Sequence, residues 1–435
     1  MKTTTLSSTL SVLCLCALIC QAQPVEAQNT FTEIATGLPG ISRGSVVWAD
    51  YNKDGLPDVF ISGVSDGMLG GATAQLWKNK GNNKFEKVTT AKFIGVTHSS
   101  AAWADFNGDG YPDLVYCGTT SSNTKGAITK IYLNNKGDGT FTELVNPVPE
   151  KQSTGETKKV PLKGVWNMPS IGIADYNKDG RPDILVAGNW NSGIPGTYVA
   201  ALYCNNGDNT FTEIDPLLLK PGKTDKLPGA YFTSIAWGDF NNDNYPDLII
   251  TGNTGGGPRN QIARLFKNNG DETFSEVSEK EAPFQKVYKS TVNWVDFDGD
   301  GKQDVFITGT PGQRTYISTL YHNKGDGTFE EVKNTGIAPL CDADVTWFDY
   351  NKDGKPDVLV AGFVEGAVSK MITALYRNNG DGTFTKVALN LPELYYPSVS
   401  HADINGDGLI DFTVSGYTKD ETGTVTNITK VYIAP

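Results

Sequence analysis

Apolar runs of four to eight residues recur along the chain, and short polar stretches rich in Gly, Asn and Asp separate them. The runs favour Val, Ile, Thr, Tyr, Phe and Trp, residues that fit a pleated, half-buried surface. No stretch after the N-terminal leader keeps a helical period of useful length. The pattern predicts many short strands joined by tight turns, an all-β protein.

The strands repeat as a set. Seven segments follow D-x-[DN]-x-D-[GN]-x-x-D: DYNKDGLPD (50–58), DFNGDGYPD (105–113), DYNKDGRPD (175–183), DFNNDNYPD (239–247), DFDGDGKQD (296–304), DYNKDGKPD (349–357) and DINGDGLID (403–411). An apolar strand precedes each, with Trp48, Trp103, Trp237, Trp294 or Trp347 two places before the first Asp in five copies; His401 holds that place in the seventh and is expected in the core. A second strand follows each loop and ends on a Gly, Gly63 in the first copy. A third carries an aliphatic–aromatic pair, as in LWKN, LYHN and VYIA. In six copies a tight turn then leads to a strand opened by Phe: Phe85, Phe141, Phe211, Phe274, Phe329 or Phe384. Each unit is therefore a four-stranded meander about the size of a propeller blade, and one meander cannot bury both faces alone. The expected fold is a seven-bladed β-propeller of four-stranded antiparallel blades over residues 28–435.

The seventh unit ends at VYIAP, after its third strand, whereas NTFTEI occurs both at 209–214 inside a unit and at 29–34 with none. The N-terminal copy is expected to pair beside residues 426–433, complete the seventh blade and close the ring, since an open edge exposes unpaired backbone groups.

Oxygens at loop positions 1, 3, 5 and 9, with a backbone carbonyl at position 7, can converge on one hard cation. Ca²⁺ accepts about 6–8 oxygens in irregular geometry. Up to seven Ca²⁺ are expected. The ligands are Asp50, Asn52, Asp54, Leu56 and Asp58 in the first unit, then Asp105, Asn107, Asp109, Tyr111 and Asp113 in the second. Asp175, Asn177, Asp179, Arg181 and Asp183 serve the third, and Asp239, Asn241, Asp243, Tyr245 and Asp247 the fourth. Asp296, Asp298, Asp300, Lys302 and Asp304 follow, then Asp349, Asn351, Asp353, Lys355 and Asp357, and finally Asp403, Asn405, Asp407, Leu409 and Asp411. Position 6 is Gly except at Asn244, the residue next most able to take positive φ. There is no Glu at position 12 and no flanking helix, so these are not EF-hands. The formal charge of −12 reads as unfilled cation sites, and no basic face suits nucleic acid.

The loop between the first two strands of seven meanders resembles the FG-GAP/VCBS repeat family, which builds the integrin α-subunit type of seven-bladed propeller. The likeness covers about 30–435, without the literal Phe-Gly…Gly-Ala-Pro signature. It implies calcium loops on a lower face and ligand binding on an upper one.

On that upper face, the position seven before each first Asp is diverse: Arg43, His98, Met168, Phe232, Lys289, Asp342 and Tyr396. The position five before is small, Ser in five units, and is expected to let the inner strands approach the axis. The connections 144–168 and 213–231 are the longest. Trp166, Trp190, Tyr231, Arg259 and His98 form the candidate ligand site, because exposed aromatics beside polar groups suit a sugar ring or a peptide side chain. His322 is expected at an exposed strand position. No catalytic motif is present, so the favoured function is a non-catalytic recognition module for glycan or protein. The alternatives are a polysaccharide lyase using His98, Lys289, Tyr396 or Arg43, and a cell-surface scaffold.

Residues 1–27 have the form of an export leader, with Lys2 before the apolar run Leu10–Ile19 and cleavage expected after Ala22 or Ala27. Lipid attachment at Cys20 is the alternative. Beyond the leader, Cys117, Cys204 and Cys341 make an odd, irregular set and no disulfide framework is expected.

Overall fold

The computed structural model describes residues 31–435 apart from 66–70, 121–125, 152–156, 191–196, 215–217, 221–222, 256, 258, 313 and 365–369. The leader and Cys20 lie outside the described residues. All regular elements in the described part are β-strands, and neighbours pair antiparallel except at one parallel bridge, Leu218 to Phe274. Among the described residues, no helix is long and apolar enough to cross a membrane.

Each repeat unit is a meander. In the first, Ser42–Ala49 pairs with Asp58–Val64, that strand with Ala72–Asn79, and that with Phe85–Lys87. The second strand of the unit, DVFISGV, is buried at every residue. It lies between two neighbours in its own sheet and is covered on both faces, so it reads as a continuous apolar run rather than an alternating one. The seventh unit takes its fourth strand from the other end of the chain. Thr32–Ile34 pairs antiparallel with Val425–Ile433, with Thr32 opposite Ile433. Phe31 occupies the place of the fourth-strand Phe, its ring 4.7 Å from Phe412 and 5.8 Å from Tyr350.

The core lies between consecutive sheets. Phe106, Val115 and Ile131 of the second unit meet Ile184, Val186 and Phe211 of the third. Val46, Val59 and Ile61 of the first meet Ile404 and Val431 of the seventh. The seven first strands pack side by side in unit order, and Ser42–Ala49 lies against both Thr97–Ala104 and Tyr395–Ala402.

Each first strand carries a bulge near its start, such as the register shift between Ser42 and Ser45. The bulged chain presses on the Gly ending the second strand. A Cβ on Gly63 would come within 2.7 Å of the Ser42 carbonyl oxygen, which explains the recurrent Gly.

The two long connections carry strands of their own: 144–168 holds the hairpin Val148–Lys151/Thr157–Val160, and 213–231 holds Leu218–Lys220/Lys223–Asp225. One expectation needs correction: His401 is not core. It stacks on Phe348 at 5.1 Å, with Nδ1 2.6 Å from Thr346 Oγ1, but remains exposed because the smaller imidazole does not fill the indole's place.

Candidate functional site

The seven acidic loops fold by one scheme. The first Asp turns the chain back on itself: Asp50 accepts the N–H of Asp54 at 3.0 Å and of Gly55 at 2.8 Å. Asp403 does the same with Asp407 and Gly408 at 3.0 and 2.8 Å. In the fourth unit Asn244, at φ 67°, stands in for Gly and still donates to Asp239, at 2.6 Å. The Asp at position 5 accepts the N–H of position 7, as Asp109 does from Tyr111 at 2.9 Å.

The Asp at position 9 is buried in every unit. Asp113 accepts from Asn134 N at 2.7 Å and Phe106 N at 2.9 Å, which ties the loop to the third strand. Burial is the largest influence on these carboxyls. It raises Asp58, Asp113, Asp247 and Asp357 to about 7, and Asp183 and Asp411 to about 6; Asp304 is raised as well. A buried carboxylate calls for compensating charge, which a cation held by the loop oxygens would supply. In the fifth loop, oxygens of Asp296, Asp298 and Asp304 lie within 4.8 Å of one another, close enough to share one divalent ion.

Neighbouring loops touch. Lys53 lies 4.5 Å over the ring of Tyr111, and Lys178 lies 4.8 Å over Tyr245. A more regular link runs through the Asn ending the third strand. Asn79, Asn134, Asn205, Asn268, Asn323 and Asn378 are buried, and each donates from Nδ2 to the carbonyl at loop position 2 of the preceding unit, at 2.7–2.8 Å. The seventh unit has Ala434 instead, whose N–H still donates to Asp411 at 2.7 Å. These Asn close quoted strand motifs such as LWKN, but only the folded chain shows that their amides reach the next sheet.

At the opposite end of the first strands, three consecutive residues from each unit line a central cavity of about 200 Å³. Arg43, His98, Met168, Phe232, Lys289, Asp342 and Tyr396 all line it, with φ between 43° and 58°. A left-handed backbone favours Gly, so seven large side chains are held here against local preference. Arg43 lies 4.5 Å over Tyr396, and Lys289 is ion-paired with Asp342. Burial would lower the Lys289 pKa, but the Asp342 carboxylate outweighs it and the pKa rises. Burial, aided by Arg43, lowers His98 to about 4.

The small residues behind them do more than permit close approach. Ser100, Ser170 and Ser234 accept the backbone N–H of Ile171, Ile235 and Val292 in the next unit, at 3.1–3.3 Å. Asp344 accepts from Val399 at 2.9 Å, and Ser398 accepts from Val46 of the first unit at 3.2 Å.

The five candidate ligand residues do not share one pocket. Trp190 is exposed and lines a cleft of about 600 Å³ in the third unit with Tyr198, Lys163, Glu213 and Glu150. Lys163 lies 5.5 Å over the Trp190 ring and pairs with Glu213. Tyr231 stacks on the cleft residue Tyr198 at 5.0 Å but does not itself line the cleft. His98 faces the central cavity. Trp166 pairs with Asn189 in the sheet and lines neither opening, and Arg259 lies exposed on a separate turn.

Repeated strand–acidic loop–strand units of this kind define a class. The family described as FG-GAP-like repeat matches residues 50–116, 175–250, 239–307 and 296–360, and the chain belongs to it. The T-cell immunomodulatory protein homolog of Plasmodium yoelii yoelii is 23% identical over 360 residues, 67% of this chain; the match spans 48% of that relative, about half its length. Among solved structures, an Agrocybe aegerita lectin that recognises non-reducing terminal N-acetylglucosamine aligns at TM-score 0.49 and 19% identity, over 89% of this chain and 93% of the lectin. The V. cholerae biofilm matrix protein Bap1 aligns at 0.44 and 13%, over 93% and 91%.

Proposed function

We propose that this chain is an exported seven-bladed β-propeller, closed by Thr32–Ile34, that binds up to seven Ca²⁺ and acts as a non-catalytic recognition module for a glycan. The cyclic packing of the seven first strands and the pairing of Thr32–Ile34 with Val425–Ile433 support the closed ring. The repeated oxygen cage supports calcium, with Asp at positions 1, 5 and 9, Asn or Asp at position 3 and the position-7 carbonyl as ligands. When bound, the ion supplies positive charge to a buried carboxylate and fixes the loop. Export rests on residues 1–27, and an N-terminus at Gln23 or Gln28 in protein recovered from outside the cytoplasm tests it.

The observation that carries the recognition reading is Trp190. Its indole is exposed on the wall of a concave cleft, the kind of place where an aromatic face and a few polar groups take up a small ligand. Lys163, Glu213 and Glu150 line the same cleft, so an apolar platform and polar groups of the kind a sugar ring needs share one opening. A glycan array probed with wild type and Trp190→Ala, each with calcium and with chelator, tests it. Binding by the wild type that the substitution reduces at least tenfold supports the proposal. Binding unchanged by the substitution removes it from this cleft, and binding only to peptides replaces the ligand class.

A further inference from the structure

The seven units act as an internal control on one another, and the fifth departs from the rest twice in one place. Position 3 of the loop is Asn in six units and Asp298 in the fifth. The residue before the buried third-strand Asn faces the acidic loop. In the first and fourth units it is a lysine, with Lys78 Nζ 3.0 Å from Asp54 Oδ2 and Lys267 Nζ 3.4 Å from Asp243 Oδ2. In the fifth it is His322, and it does not sit free on the strand surface as the sequence suggests. Its Nδ1 lies 3.2 Å from Asp298 Oδ2 and 3.3 Å from Asp304 Oδ1.

The two departures therefore meet. The Nδ1 atom is buried and makes no hydrogen bond, although two carboxylates face it. Asp304 is anchored by the N–H groups of Asn323 and Phe297, at 2.7 and 3.2 Å, and the Phe297 ring packs edge-on against the imidazole at 6.1 Å. Ligand atoms of Asp298, Asp300 and His322 fall within 4.8 Å of one another, as do those of Asp296, Asp298 and Asp304.

We propose that His322, Asp298, Asp304 and Asp296 form a mixed nitrogen–oxygen site for a divalent transition ion of the Zn²⁺ or Co²⁺ class, distinct in chemistry from its six sister loops. Donors 3.2–3.3 Å apart match the edge of a tetrahedron with metal–ligand bonds of about 2.0 Å, the length Zn²⁺ makes to imidazole and carboxylate. Ca²⁺ is hard, prefers oxygen and needs bonds of about 2.3–2.6 Å. Imidazole beside carboxylates suits the later first-row ions instead. This inference rests on the reading that the acidic loops hold cations.

The test uses the full chain stripped of metal by chelator. Co²⁺ is titrated by calorimetry and visible absorption, with Zn²⁺ as competitor, and Ca²⁺ is titrated separately. The variants are His322→Lys and Asp298→Asn, each the residue that sister units carry at that place and so compatible with the fold. The wild type is expected to bind one Co²⁺ at least tenfold more tightly than either variant, with a visible band that His322→Lys abolishes and Zn²⁺ displaces. Ca²⁺ binding by the other loops is expected to be alike in all three proteins. Co²⁺ binding unchanged in His322→Lys overturns the proposal and leaves calcium in the loops intact. Tight His322-dependent Co²⁺ binding without any Ca²⁺ binding supports this site and removes the calcium reading of the others.

Discussion

Asn79 donates from Nδ2 to the carbonyl of Ile404 at 2.7 Å, joining residues 325 positions apart in sequence. The same amide group donates to Pro57 at 3.1 Å, so one buried side chain ties the first unit to the seventh and braces its own loop. At the other end of the strands, Val46 N–H donates to Ser398 Oγ at 3.2 Å across the same junction. Replacing Asn79 by Ala leaves two buried carbonyls without that donor, at about 1–3 kcal/mol for each unsatisfied group. The expected result is a lower denaturant midpoint with an unchanged m-value. An unchanged midpoint means the bond does not hold the junction.

Removing residues 31–36 strips the fourth strand from Val425–Ile433 and takes Phe31 from its contacts with Phe412 and Tyr350. Phe31 is half-buried, so its loss alone costs less than the roughly 3–5 kcal/mol of a fully buried aromatic, and the lost strand pairing adds to it. The truncated chain is expected to melt well below the full one and to self-associate through its open edge. Equal melting temperatures contradict the role given to this strand.

Asp344 stands where five sister units have Ser. Burial raises its carboxyl to about 6, although the N–H groups of Val399 and Val345 pull the other way. A carboxyl with a folded-state pKa above its unfolded value of about 3.9 gives stability that is greatest below that value and declines as pH rises through the folded one. Asp344→Ser keeps an acceptor for Val399 and removes the decline. Discounted for its partial exposure to the central cavity, the gain at pH 7 is about 1–2 kcal/mol. Stability measured from pH 4 to pH 7 is expected to fall less in the variant; parallel curves contradict this.

Two glycines of the first unit separate turn chemistry from close approach. Gly55, at φ 89°, has open space around its Cβ direction, and the fourth unit uses Asn there, so Gly55→Asn is expected to change stability by under about 1 kcal/mol. Gly63→Ala drives a Cβ to 2.7 Å from a backbone oxygen and is expected to cost more than about 2 kcal/mol. Paired urea melts check the order; the reverse order contradicts the geometry.

Strand identity, unit boundaries and the origin of the missing fourth strand were legible because repetition exposes them. NTFTEI at 29–34 has a twin inside a unit, and VYIAP has no strand after it. The links between units were not legible. Asn79 and Ser398 look like ordinary turn and small residues, and their partners lie in the neighbouring sheet. The extra hairpins at 148–160 and 218–225 lie outside the repeat, so no sister copy pointed to them. His322 was misplaced because Lys78 and Lys267, long and charged, suggest a solvent-facing position. They stay partly exposed and also reach the acidic loops.

The most direct measurement is calcium stoichiometry by equilibrium dialysis on the chelator-stripped chain, with melting temperature followed across the same concentrations. Binding that approaches seven ions per chain, or six where the fifth loop prefers a transition metal, with a melting temperature that climbs with free Ca²⁺ and falls again on chelation, is the predicted result. No bound calcium at millimolar concentration, and a melting temperature indifferent to it, contradicts the account.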